Sequence, residues 1–250
     1  MSRINFLNTQ IDNITMDEAI AEINKLIQNC SYNYIVTPNL DHIVMLEKDN
    51  EFISAYKNAN LIVADGKPLI WISKLLKRPI KEKISGSDLF PRICELSAKK
   101  GYKIFIMGAG IGVADKAAKN LSQKYPGLKF CGTYSPVFGF EKIPAEMELI
   151  KQLILNAKPD ILAVSLGSPK GEKFIYQNLN EFKVPLSISI GASIDFEAGN
   201  VKRAPKWMSD IGLEWLHRIV QDPRRLIKRY WRDAITIIPI IYKYEYKKNN

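Results

Sequence analysis

Asp65 stands where a protein would put a general base. It follows the apolar run Leu61–Ala64 and precedes Gly66, which lets the backbone turn towards a helix. A carboxylate leaving a buried strand loses water, its pKa rises, and it becomes a better base. The same position also suits a helix N-cap, the structural role this residue type takes there. Thr37 and Asn39 follow a second β-branched run, Tyr34–Thr37. Gly108 and Gly110 belong to Gly108-Ala109-Gly110-Ile111-Gly112 after the run Lys103–Met107. Such a loop can cradle a phosphate with backbone amides and a helix N-terminus, or can simply be a tight strand-to-helix turn. It lacks the full GxGxxG spacing, and no acidic residue follows about twenty positions on. An NAD-dependent oxidoreductase is therefore disfavoured.

Two further segments carry polar groups after an apolar run, one of them Ser165 to Ser168 after Ile161–Val164. Gly191 to Asp195 follow Leu186–Ile190, where Asp195 can accept a hydrogen bond from a base imide N–H and Lys202 or Arg203 can face phosphate. The bland reading of that stretch is a solvated surface loop. No D-x-D motif occurs, so fixed cations rather than a divalent metal are expected to hold any diphosphate. Arg218, Arg225 and Arg229 share one face if a single helix runs through Pro223. Guanidinium groups pair bidentately with diphosphate, although a basic helix face is as often merely solvated.

These residues need a scaffold that gathers strand ends. Short apolar runs at 34–37, 61–64, 103–107, 128–134, 161–166 and 186–190 alternate with helical stretches at 40–59, 88–100, 112–125, 145–157 and 173–180. Alternation of this kind predicts an α/β fold, a doubly wound and mostly parallel sheet whose ligands sit outside the carboxyl ends of the strands. From about residue 204 only helices are expected. The chain divides into an α/β catalytic domain, 1–203, and a basic helical, membrane-facing appendage, 204–250.

With 250 residues and 46% hydrophobic side chains, the chain can bury a large core, which excludes a disordered protein. Its net charge of +10 is concentrated at the end, where residues 201–250 hold 12 basic and 5 acidic side chains, a net of +7. That segment suits nucleic acid, an anionic membrane or an acidic substrate. A nucleic-acid-binding module is disfavoured because the body is nearly neutral and carries no reading motif. Cys30, Cys94 and Cys131 lack metal-ligand spacing, so no metal site or disulfide scaffold is expected and a reducing cytoplasm fits. No signal-peptide core and no membrane-spanning run is read in the sequence.

Several strings together resemble the WecG/TagA/CpsF glycosyltransferases, glycosyltransferase family 26. They are Thr37-Pro38-Asn39, Val63-Ala64-Asp65-Gly66, Ser85-Gly86-Ser87-Asp88, Gly167-Ser168-Pro169-Lys170, Gly191 to Asp195, Ala198 to Pro205, and Gly212-Leu213-Glu214-Trp215-Leu216 with Arg218. The resemblance implies inverting, metal-independent transfer of a sugar from a UDP donor to a polyprenyl-diphosphate-linked sugar in bacterial cell-surface polysaccharide synthesis. It implies an N-acetylhexosamine such as N-acetylmannosamine, with a glucosyl or uronic-acid donor as the alternative. Asp65 is the implied base, with substrate contacts from Thr37, Asn39, Gly108, Gly110, Lys170, Asp195, Arg203, Arg218, Arg225 and Arg229. No cofactor is implied. The expected location is peripheral, at the inner face of the cell membrane, and homo-oligomerisation is left open. One departure stands out, since Gly171 occupies a position where family members often carry glutamine.

Overall fold

The computed structural model describes residues 2–205, 207–208 and 212–245, with only the backbone at Arg225. Six strands form one sheet: β3 (Asn33–Val36), β4 (Leu61–Ile62), β5 (Lys103–Gly108), β6 (Lys129–Tyr134), β7 (Ile161–Ser165) and β8 (Leu186–Ser189). Their order is β4-β3-β8-β7-β5-β6, and every pairing is parallel. The sheet is buried on both faces, which explains why its strands read as unbroken apolar runs. In β7, Ile161 and Ala163 enter one core while Leu162 and Val164 enter the other. Ile104 and Ile106 of β5 alternate with Phe105 and Met107 in the same way.

Helices α1 (Met16–Gln28), α5 (Gly86–Lys100), α6 (Val113–Lys124) and α9 (Ser193–Glu197) contribute apolar side chains to one core, among them Ile23, Ile93, Leu121 and Ile194. The other core takes side chains from α2 (Leu40–Met45), α3 (Asn50–Lys57), α4 (Lys67–Leu75), α7 (Pro144–Ala157) and α8 (Lys170–Phe182). The expected single helix over 40–59 is two helices. Asp49 accepts a hydrogen bond from the Phe52 amide at 3.0 Å and starts α3 afresh, so its capping preference outweighs the continuous apolar spacing. Helix α5 begins two residues earlier than expected, because Ser85 rather than Ser87 is its cap.

The appendage is likewise divided. Helix α10 (Glu214–Gln221) ends at Asp222, whose φ of −143° and ψ of 71° break the helix. Pro223 then opens α11 (Pro223–Glu245), a suitable first-turn position for a residue with no N–H to lose. One helix through Pro223 is therefore not formed, and Arg218 and Arg229 lie on different helices. Helix α11 packs against α2 and buries Leu226, Ile237 and Ile240.

An antiparallel hairpin, β1 (Arg3–Phe6) with β2 (Thr9–Asp12), precedes the sheet and is absent from the sequence reading. Its end is fastened by Asp12, buried to 2% exposure. Arg3 donates to both carboxylate oxygens at 2.8 and 2.9 Å, and the Ile62 amide of β4 donates to Oδ2 at 2.9 Å. Removing the guanidinium would leave a buried carboxylate with one partner. Arg3→Ala is expected to lower stability by about 2 kcal/mol in urea unfolding. Unchanged stability would mean that the hairpin does not reinforce the β4 edge.

Candidate active site

Four strand ends meet in one cleft. Asp65 follows β4, Thr37 and Asn39 follow β3, Gly191 to Asp195 follow β8, and Gly167 and Ser168 follow β7. All of these except the core residue Ile194 line a space of about 580 Å³, closed from the appendage side by Arg218, Gln221, Leu226 and Arg229. A smaller adjoining hollow of about 110 Å³ shares Asn39, Asp41, Asp65, Arg218 and Arg229 with the cleft. It adds Lys83, Glu214, Trp215, Tyr230 and Asp233. Asp65 thus stands at the junction of two hollows, reachable from both.

The backbone around Asp65 is held firmly. Its amide donates to the Pro38 carbonyl at 2.7 Å, and the Ile84 amide donates to the Ala64 carbonyl at 2.8 Å. Gly66 then takes φ +99°, a conformation that side chains disfavour, and serves as the cap residue of α4. No side chain caps that helix, so Asp65 does not do the structural job its position allowed. Burial pushes its carboxyl up to about 6, against the pull of Arg218 and Lys83 and with help from Glu214 and Asp88. A group with this pKa is ionised at neutral pH yet basic enough to take a proton.

Cations surround the carboxylate from several elements. Arg218 donates to Glu214 at 2.8 Å and lies over the Phe196 ring at 5.7 Å. Arg203 stacks on the same ring at 5.8 Å and donates to Ser87 at 3.2 Å, while pairing with Asp88. It therefore borders the cleft through Ser87. Arg229 lies 3.7 Å from Asp41, and its Nε is buried without a hydrogen-bond partner. Lys83, absent from the sequence reading, pairs with Asp88 at 3.0 Å, a neighbour that helps hold the Asp88 carboxyl down at about 2. The Lys83 signal in sequence was slight, since it is one lysine among several in a loop. The Arg225 side chain lies outside the described residues.

The other expected contacts divide. Thr37 is buried in the cleft wall. Asn39 uses Oδ1 to cap α2, accepting from the His42 amide at 3.1 Å, which leaves its amide NH₂ to meet a ligand. Asp195 lines the cleft, and burial raises its carboxyl pKa.

Gly108 and Gly110 do not line the cleft. They follow β5, one strand beyond the four that form it. The Ala109 amide donates to the Ser165 carbonyl at 2.8 Å, and a Cβ on Gly108, at φ +104°, would stand 2.4 Å from that oxygen. Ser135 also donates to the carbonyls of both glycines. Close packing beside β7, the tight-turn reading, accounts for this loop. Lys170 is turned away as well. Its ammonium pairs with Glu141 at 2.8 Å and sits 4.4 Å from the Phe140 ring centroid, on the side of α7.

Sequence reasoning also missed Glu172 and His42, both buried and both lining the cleft. His42 Nδ1 and the Tyr56 hydroxyl are hydrogen-bonded at 2.6 Å, and burial lowers the imidazole to about 3, so it is neutral. Burial raises the Glu172 carboxyl to about 7 despite hydrogen bonds from Ser189 and Ser168. Nothing in a Lys-Gly-Glu-Lys helix start signals that its glutamate is inside.

A raised carboxyl flanked by guanidinium groups, at the carboxyl ends of a parallel sheet, is equipment for transferring a group away from an anionic leaving group. Residues 4–250 match the model of the Glycosyl transferase WecG/TagA/CpsF family, and the chain belongs to that family. It is a glycosyltransferase. It is similar to an N-acetylglucosaminyldiphosphoundecaprenol N-acetyl-beta-D-mannosaminyltransferase from Bacillus subtilis (strain 168), 33% identical over 190 residues that cover 76% of this chain and 70% of that one. Proteins of the same name from Staphylococcus aureus strains MW2 and NCTC 8325 are each 29% identical over 227 residues, covering 90% of this chain and 87% of theirs.

The Asp65 shift makes a stability prediction. Its folded pKa of about 6 exceeds the ordinary 3.8, so the folded state holds that proton more tightly. The stabilisation is complete below about pH 4 and is lost as pH rises through about 6. Asp65→Asn, which never ionises, is expected to be more stable than the parent by about 2–3 kcal/mol near pH 7.5 and to come close to it near pH 4. Thermal melts at both pH values check this, and a destabilised variant near pH 7.5 would show that the cations hold the carboxylate ionised.

Proposed function

We propose that this chain transfers N-acetylmannosamine from a UDP donor to a polyprenyl-diphosphate-linked N-acetylglucosamine, with inversion and without a metal ion. The observation that carries this reading is Asp65, desolvated at the meeting point of two hollows and faced by Arg218. Similarity to transferases named for that donor sugar and acceptor supports the choice of substrates. The larger cleft takes the UDP-sugar, with Asp195 accepting from the uracil imide and Thr37 and the Asn39 amide meeting the sugar. The acceptor hydroxyl enters from the smaller hollow.

Asp65 takes the proton of the acceptor hydroxyl as that oxygen bonds to the anomeric carbon. The bond from that carbon to the β-phosphate oxygen breaks on the opposite face, and UDP departs with the electron pair. Arg218 and Arg229 stabilise the charge that develops there, and the partnerless Nε of Arg229 supports this role. Arg225, four residues before Arg229, is a third such cation by its place in the sequence, and Arg203 holds the cleft rim.

The acceptor's lipid requires an approach to the membrane. Among the described residues no helix is long and apolar enough to cross one. Helix α11 exposes Ile227, Trp231, Ile235, Ile238 and Tyr242 at spacings of three and four, a single apolar stripe. A helix of that kind, with basic neighbours, lies in the plane of a bilayer surface. We take that surface to be the inner face of the cell membrane.

A product assay with UDP-N-acetylmannosamine and a lipid-diphosphate-linked N-acetylglucosamine, read by mass spectrometry, tests the reading. A disaccharide product is expected, and its turnover is expected to fall roughly 10²–10⁴-fold in Asp65→Asn. Unchanged turnover in that variant would remove Asp65 from catalysis. Activity is also expected to survive EDTA, because arginines stabilise the leaving diphosphate. Abolition by EDTA with rescue by Mg²⁺ or Mn²⁺ would overturn the metal-free route.

A further inference from the structure

The deepest polar group of the cleft has no part in the scheme above. Glu172, in the first turn of α8, lines the cleft at 3% exposure, and its Oε2 has no hydrogen-bond partner. Leaving such an oxygen desolvated and unmatched is unfavourable, and in a cleft wall a ligand or a water is the partner that can satisfy it. The rest of the carboxyl is anchored. Ser168, from the loop after β7, and Ser189, at the end of β8, both donate to it.

Ser189 is positioned by the residue before Glu172. A Cβ on Gly171 would stand 2.6 Å from the Ser189 hydroxyl, so the bare glycine is what lets β8 and α8 close around the acid. Glu172 lines the same cleft as Asp65, Thr37 and Asn39, in the wall where β7 and β8 end.

We propose that Glu172 is a specificity-determining residue that hydrogen-bonds a hydroxyl or the acetamido N–H of the donor sugar, holding that sugar in the cleft that Asp65 also lines. The proposal rests on the donor reading given above and adds to it the group that distinguishes a nucleotide-linked sugar from the bare nucleotide. A carboxyl at this depth can serve as acceptor when ionised and as donor when protonated, so either polarity of sugar group can be matched. Its Oε2 lacks a partner and no cation pairs with it among the described residues, so it stays free for a ligand.

Calorimetric titration of UDP and of UDP-N-acetylmannosamine into the full chain and into Glu172→Gln and Glu172→Ala tests it, with thermal melts on each. Affinity for UDP is expected to stay within about 2-fold throughout. Affinity for the UDP-sugar is expected to fall about 10-fold or more in Glu172→Ala and to recover largely in Glu172→Gln, which keeps a donor and an acceptor. Glu172→Met, similar in volume, replaces the alanine variant if the cavity prevents folding. Equal changes for UDP and UDP-sugar, or none for either, would overturn the role of Glu172 while leaving the donor reading intact. A parent protein that binds neither compound would overturn the donor reading and the proposal with it.

Discussion

Everything at this site depends on holding one half-buried carboxylate at a strand end while positive charge faces it. Desolvation raises the Asp65 carboxyl and Arg218 and Lys83 pull it back down, whereas full pairing with an arginine would leave it too weak a base. The balance, a carboxyl pushed up to about 6, needs contributions from separate parts of the chain. The sheet supplies the burial through β4 and the Pro38 carbonyl. Lys83 comes from the loop before α5, and Arg218 comes from α10 of the appendage. The α/β domain therefore does not complete its own active site. The break at Asp222 matters for the same reason, because it lets α10 and α11 approach the cleft from different directions.

The appendage charges are specific and not diffuse. Arg218 pairs with Glu214, Arg232 with Asp41 and Asp233, and Lys243 with Glu47. Asp41 and Glu47 belong to the stretch of chain formed by α2 and the turn after it, so these pairs fasten α11 over the cleft edge. Most are partly exposed, and each contributes little alone. Their value is geometric, since they hold Arg229 at the cleft wall while the opposite stripe of α11 stays apolar and open.

The sequence made the sheet legible because parallel strands buried on both faces are short unbroken apolar runs, as in Ile161–Val164. Strand-end logic then pointed to Asp65, Thr37, Asn39 and Asp195 as one group, which the structure brings together. The same logic overreached at Gly108 and Gly110. Their loop also follows a strand, but β5 lies outside the four strands that frame the cleft, and strand order is not written in local pattern. Lys170 and Glu172 show the limit most sharply. They are two residues apart in a polar helix start, yet one turns to Glu141 and the other inwards, because Gly171 and Ser189 fit together across the sheet. The β1–β2 hairpin is hard to read from sequence because its strands are only four residues long, and it is held by the Arg3–Asp12 pair together with the buried Phe6 and Ile11.

The central claim is that the fold holds Asp65 as a desolvated base near neutrality. The most direct measurement is a carboxyl ¹³C NMR titration of the labelled protein, with the Asp65 resonance assigned from the Asp65→Asn variant. The account predicts a midpoint at about 6. A midpoint in the ordinary aspartate range, near 3.8, would contradict it.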